Sequence, residues 1–173
     1  SADPTRLVTS GNDRIFADDN PATEEFLATF ENDIVGYNYP DRWHERRELY
    51  YSPDKQKFPG RRVVGTESGG MGGMRGSYAG RAGFGTKTAT PNNILTTRFI
   101  DTEQRWKITL INDYIIGDFM WTGIDYYGES FWPSRGATSG YLDNCGFKKD
   151  GFWFFKSIWT NEPTLHLLPH WNQ

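Results

Sequence analysis

Glu67 ends the apolar run Arg62-Val63-Val64-Gly65-Thr66-Glu67 and is followed at once by Ser68-Gly69-Gly70-Met71-Gly72-Gly73. A carboxylate at the C-terminal tip of a buried strand, opening onto a loop without bulky side chains, stands where α/β barrel enzymes keep their reacting groups. Two other strand-like runs end in polar and aromatic tips. Asp33 to Tyr39 brings Tyr37 and Tyr39, and Ile115 to Tyr126 brings Trp121 and Asp125. If the three tips share one bowl, the carboxylate can attack an anomeric carbon, a phenol can orient and tune it, and an indole can pack on the sugar face. That is the chemistry of a retaining glycosidase. The residues alone leave a plainer reading open: Glu67 fits equally well as a capping or salt-bridged acid. For at least one of Tyr37, Tyr39 and Trp121, interior packing is the stronger expectation.

Rival chemistries fail on spacing. Gly65-Thr66-Glu67-Ser68-Gly69 has the outline of a nucleophile elbow with Glu where Ser should stand. Gly70-Met71-Gly72-Gly73-Met74-Arg75 puts Arg where a dinucleotide fingerprint needs its third glycine, and Gly85-Thr86-Lys87-Thr88 separates the glycine from the lysine that a phosphate loop needs adjacent. His44, His166 and His170 never form the pair, four residues apart around a Glu, of a zinc-protease helix. The mixed-sign run Arg42 to Glu48 is most simply a solvated helix face.

The elements that must position these groups follow from periodicity. Arg6 to Thr9 is a short extended run, Asn20-Pro21 caps a helix over Ala22 to Glu31, and Asp33 to Tyr39 is a buried parallel strand. Trp43 to Tyr51 reads as helix, broken by Ser52-Pro53-Asp54 before the Glu67 strand. Ser68 to Pro91 is a glycine-rich excursion too long for a compact domain without a purpose, and so an expected active-site loop. Asp101 to Tyr114 is expected to be helical, with Trp106, Ile108, Leu110 and Ile111 inward. A fourth strand over Ile115 to Tyr126, a loop over Tyr127 to Asp150, an apolar helix over Gly151 to Trp159 and an extended tail complete the order. Four strand–helix units call for a parallel sheet with right-handed crossovers. A doubly wound sheet and an α/β (β/α)8 TIM barrel both satisfy that order, and the glycine-rich turn of a doubly wound nucleotide fold is lacking at the first strand. In a barrel four units are one half, so residues 1–173 would supply the C-terminal half, with the other half upstream.

Composition narrows the partners. The 173 residues are 36% hydrophobic and 24% charged, an ordinary globular balance. Aromatic residues reach 16%, more than a core of this size needs, so some rings should line a sugar-binding surface. The net charge of -3, with Lys and Arg scattered, argues against nucleic acid. No window of about 20 apolar residues exists, which argues against a membrane span. Ser1-Ala2-Asp3-Pro4 is no signal peptide, so a soluble piece is expected. The lone Cys145 excludes an intrachain disulfide and any cysteine-based metal spacing. The chain calls for no cofactor.

Several of these segments together resemble a known family. Asp33 to Tyr39, the Glu67 strand with Arg75-Gly76-Ser77-Tyr78 behind it, Gly117 to Glu129, and Leu165-His166-Leu167-Leu168-Pro169-His170-Trp171-Asn172 resemble, in order, the second half of the catalytic barrel of glycoside hydrolase family 2, particularly its bacterial β-galactosidase branch. The resemblance covers essentially the whole chain. It implies that the strands are the fifth to eighth of the barrel, that Glu67 is the nucleophile of a retaining exo-glycosidase, and that Tyr39, with Tyr37 as fallback, hydrogen-bonds it. It further implies a sugar floor at Trp121 and sugar or rim contacts at Asp125 and Asp143. Trp132 could stack on the aglycone and Arg135 could contact an anionic neighbour, though a loop anchor is as good a reading.

In that family the acid/base Glu follows an Asn at the end of the fourth strand, before the point where this chain starts. The expected partners are therefore a carbohydrate and the N-terminal half of the barrel, which would also hold any metal, and the isolated chain is expected to be inactive. Leu142-Asp143-Asn144-Cys145 stands where the β-glucuronidase branch carries an Asn-x-Lys grip on the uronic carboxylate. With no cation there, galactose is expected over glucuronic acid, with β-glucuronidase and β-mannosidase as runners-up. A non-catalytic carbohydrate-binding or scaffolding piece is the alternative of another class. The compartment and any homo-oligomer stay open; likeness to polysaccharide-degrading relatives would imply the periplasm or the cell exterior.

Overall fold

The computed structural model describes residues 3–13, 21–30, 33–40, 51–69, 102–129 and 136–167, with 21–24 as backbone only. The helix expected over Trp43 to Tyr51, Tyr51 itself apart, and the glycine-rich loop beyond Gly69 lie outside the described residues, as do Trp132, Arg135 and the tail from Leu168. In chain order the elements are β1 (Gly11–Asp13), α1 (Pro21–Ala28), β2 (Val35–Asn38), α2 (Ser52–Lys57) and β3 (Val63–Gly69). A helix α3 over residues 102–111 follows. Then come β4 (Ile115–Trp121), β5 (Tyr126–Tyr127), β6 (Gly136–Ala137) and α4 (Asp150–Trp159). The alternation of strand and helix expected from periodicity is present through β4, and the fold is mixed α/β with a parallel sheet.

The chain divides into two compact units, one of residues 1–69 with 103–120 and one of residues 70–102 with 121–173. The first holds a sheet in the order β1-β2-β3-β4. β1 pairs with β2 in parallel, Gly11 opposite Gly36, and β2 with β3 in parallel, Val35 opposite Val63. Val63, Val64 and Gly65 are all buried, as expected of a strand covered on both faces. Leu27 from α1, Val35 and Tyr37 from β2, Tyr51, Val63 and Ile115 form the core, with Phe30, Ile108 and Tyr114 against it.

Several local expectations are corrected. The first strand is Gly11–Asp13 instead of Arg6 to Thr9, and Leu7 and Val8 are exposed. Pairing is decided by β2, where a Cβ on Gly36 would collide with the Ser10 carbonyl and Thr66, so only glycine lets the preceding segment close in. Ser52-Pro53-Asp54 starts helix α2 instead of breaking one, because proline in the first turn gives up an N–H that has no intrahelical partner. In α3, Ile108 packs on the core as expected, but Leu110 and Ile111 are exposed, and the deeply buried positions are Thr102 and Arg105. The inward stripe of α3 is therefore partly polar, and an apolar count misplaces it. The strand expected over Ile115 to Tyr126 ends at Trp121, and Tyr126–Tyr127 forms a separate short strand antiparallel to Gly136–Ala137, Tyr126 opposite Ala137.

The second unit is built around α4. Phe155 meets Tyr141 with ring centroids 4.9 Å apart and Trp159 at 4.5 Å. Lys149, at the helix entry, is buried and reaches Asp125 at 2.6 Å. Among the described residues no helix is long and apolar enough to cross a membrane, and no group of three or more His, Cys, Asp or Glu is placed to hold a metal ion.

Candidate active site

The β2–β3 register carries Glu67 to the strand tips. Tyr37 stands opposite Gly65, but the next residue, Asn38, stands opposite Glu67, so β3 contains one extra residue at this point. Such bulges re-aim side chains beside functional sites. The Tyr39 backbone N–H donates to the Glu67 carbonyl at 2.6 Å, tying the two tips together past the bulge.

Two donors then face the Glu67 carboxylate. The Tyr39 hydroxyl donates to Oε1, and the Asn38 amide nitrogen donates to Oε2 at 3.1 Å. Tyr39 reaches this position with φ 52, in the left-handed region that strains a residue bearing Cβ. Tyr37 goes elsewhere: its hydroxyl donates to Asp54 Oδ2 at 2.8 Å and receives Arg61 Nη1 at 3.4 Å, and its ring packs edge-on to Tyr51 at 5.1 Å. It is a core residue with no exposed surface. Burial pushes its hydroxyl well above the usual tyrosine range, the Asp54 charge adds to the effect, and Arg61 opposes it.

Behind Glu67 the backbone is clamped. Ser68, buried on the opposite side of β3, donates its hydroxyl to Asp118 Oδ1 on β4. Arg105 from α3 pairs through Nε with Asp118 Oδ2 at 2.9 Å, both side chains being almost fully buried, and donates from Nη2 to the Gly69 carbonyl at 2.6 Å. A buried charge pair of this kind is tolerated when its remaining hydrogen bonds are met. The residues that follow Glu67 are thus held by one buried guanidinium and one buried carboxylate. Gly65 is required by the same packing, since a Cβ there would run into the Asp118 carboxylate and the Tyr51 hydroxyl.

The other expected residues belong to the second unit. Trp121, part-exposed, packs edge-on against Tyr126 with centroids 5.8 Å apart. Asp125 is an interior ion-pair partner: its Oδ1 accepts from Lys149 Nζ at 2.6 Å and from the Gly140 N–H at 2.8 Å. Asp143 closes its own loop, with Oδ1 accepting from the Cys145 and Phe147 N–H groups, each at 2.9 Å. Asn38, Thr66, Ser68 and the Arg105–Asp118 pair were not singled out from the sequence. A lone Asn between two tyrosines has no periodic signature, and the bulge that brings it to Glu67 is a property of two strands together.

A carboxylate thus stands at a parallel strand tip, held by a phenol and an amide. The chain as a whole is similar, in sequence and in fold, to enzymes of glycoside hydrolase family 2. No protein-family model matches the chain. The β-galactosidase BoGH2A of Bacteroides ovatus is 29% identical over 98% of the chain and 21% of its own length. A protein of Formosa agariphila bearing a provisional β-glucuronidase name is 39% identical over 42% of the chain and 7% of its own length. Among solved structures, a glycosyl hydrolase family 2 member from Bacteroides cellulosilyticus superposes with a TM-score of 0.62 at 24% identity, covering 94% of this chain and 17% of that one. The chain therefore spans about a fifth or less of the length of each.

Proposed function

We propose that this chain is the nucleophile-bearing part of a retaining, exo-acting β-galactosidase, supplying strands 5 to 8 of a (β/α)8 barrel. The observation that carries the reading is the Glu67 carboxylate with a donor on each oxygen, Tyr39 on Oε1 and Asn38 on Oε2. In the proposed reaction a Glu67 oxygen attacks the anomeric carbon and a glycosyl ester forms. The aglycone oxygen leaves with a proton from an acid/base Glu on the N-terminal half of the barrel. That same residue then deprotonates the water that hydrolyses the ester. The two carboxyl groups of a retaining pair stand about 5–5.5 Å apart. Trp121 offers a part-exposed ring as the sugar floor, and Trp132 and Arg135 are proposed for the aglycone side.

Specificity for a neutral sugar is supported by the occupied lysines after the Leu142 to Cys145 loop. Lys149 is buried on Asp125, and Lys148 lies over the Phe152 and Trp153 rings at 4.8 and 4.9 Å. The β-glucuronidase name of one relative supports a second reading, an acidic sugar.

The test uses the full-length enzyme. A 2-deoxy-2-fluoro-β-galactoside should label Glu67, and Glu67→Gln should abolish turnover of nitrophenyl galactoside with circular dichroism unchanged. A label on another residue defeats the nucleophile assignment, and preference for the glucuronide defeats the galactose assignment alone.

A further inference from the structure

Thr66 is the extra residue of the β3 bulge, since Tyr37 pairs with Gly65 and Asn38 with Glu67. In a regular strand Thr66 and Glu67 would point to opposite faces. Across the bulge both reach one side chain: the Thr66 hydroxyl lies 2.7 Å from Asn38 Oδ1, and Asn38 Nδ2 lies 3.1 Å from Glu67 Oε2. Chemistry fixes the direction of this relay. An ionised carboxylate only accepts, so the amide edge that meets Glu67 must be the NH2 group. The amide oxygen is then turned to Thr66, whose hydroxyl must donate.

Space for the relay is cleared by glycines on the neighbouring strands. A Cβ on Gly11 would stand 3.0 Å from Asn38 Oδ1 and 3.4 Å from Thr66 Oγ1, and one on Gly36 would stand 2.7 Å from Thr66 Cγ2. Both residues of the pair are half-buried, so water competes poorly for either bond. A valine would fill the same volume at position 66 without the hydroxyl. The amide could then turn over and present its oxygen to Glu67.

We propose that Thr66 is a positioning residue for the Glu67 carboxylate, locking the Asn38 amide with its NH2 group on Oε2 while Tyr39 holds Oε1. The proposal deepens, and rests on, the reading of Glu67 as nucleophile. It assigns a role to a hydroxyl that touches neither sugar nor carboxylate.

Three variants of the full-length enzyme test it: Thr66→Val, Thr66→Ser and Asn38→Asp. The readout is covalent inactivation by 2-deoxy-2-fluoro-β-galactosyl fluoride, which isolates the glycosylation step, with the labelled peptide identified by mass. Thr66→Val should slow the maximal inactivation rate about tenfold, the scale of a lost hydrogen bond to a charged group, while the inhibitor's half-saturation changes little. Thr66→Ser, which keeps the hydroxyl, should return most of the rate. Wild-type speed in Thr66→Val overturns the proposal, and so does a Thr66→Ser as slow as Thr66→Val, which would assign the effect to packing.

Asn38→Asp keeps the question answerable if Thr66→Val does not fold. Replacing the donor by a second carboxylate should move the acidic limb of the kcat/KM profile to higher pH, and an unmoved limb overturns the Asn38–Glu67 contact through which Thr66 is proposed to act. A wild-type label on a residue other than Glu67 defeats the nucleophile reading itself, and the peptide masses tell that failure from the others.

Discussion

At the scale of single residues, the site depends on Tyr39 holding a backbone conformation that its side chain disfavours, φ 52, so that its hydroxyl meets Glu67. A hydrogen bond to a charged group contributes about 1.5–3 kcal/mol. Tyr39→Phe in the assembled enzyme should therefore lower kcat/KM by roughly 10- to 100-fold, with melting unchanged or slightly raised; steady-state kinetics beside a thermal melt check it. The strand-tip carboxylate was legible because an acid at the end of a strand whose Val63, Val64 and Gly65 are buried has no packing reason to be there. The choice between Tyr37 and Tyr39 was less so. Strict alternation puts both on one face, yet the left-handed turn at Tyr39 breaks the alternation and Tyr37 continues into the core with Asp54 and Arg61. Asn38 and Thr66 stayed invisible because a bulge leaves no mark in one strand's sequence.

Elements show where tertiary packing overrode local pattern. The order of strands and helices was legible where a β-branched or apolar run marks the element, as at β3, β4 and α4; β1 (Gly11–Asp13) has no such run and α2 (Ser52–Lys57) no apolar face, and both were misread. Helix α3 was legible as a helix but not in its facing, because its buried side includes Arg105, which reads as surface until Asp118 is placed beside it. Pro53 illustrates the reverse, a breaker by composition that serves as a start. The Tyr37 hydroxyl connects β2 to α2, and its titration gives a test. Its folded value is raised above the ordinary 10.0. As pH climbs past that value the unfolded chain loses this proton first, so the stabilisation is complete below pH 10 and is lost above it. Denaturant midpoints measured from pH 8 upward should fall past pH 10, and Tyr37→Phe should lack that part of the fall.

At the scale of the whole molecule, the chain spans 21% of the length of BoGH2A, and the proposed chemistry needs a proton donor from elsewhere in the barrel. The 173-residue polypeptide by itself should leave nitrophenyl galactoside intact, and mixing or co-producing it with the N-terminal half of the barrel should restore hydrolysis; turnover by the polypeptide alone would defeat the division of catalytic groups. Strand β4 carries a practical warning for that experiment. Ile116 and Phe119 on it are 54% and 67% exposed, and greasy side chains along a strand invite sticking to whatever comes near. Purified without its complement, the polypeptide should cling to hydrophobic resin and turn cloudy on concentration, and the clearing of that haze when the complement is added would report assembly before any substrate is tried.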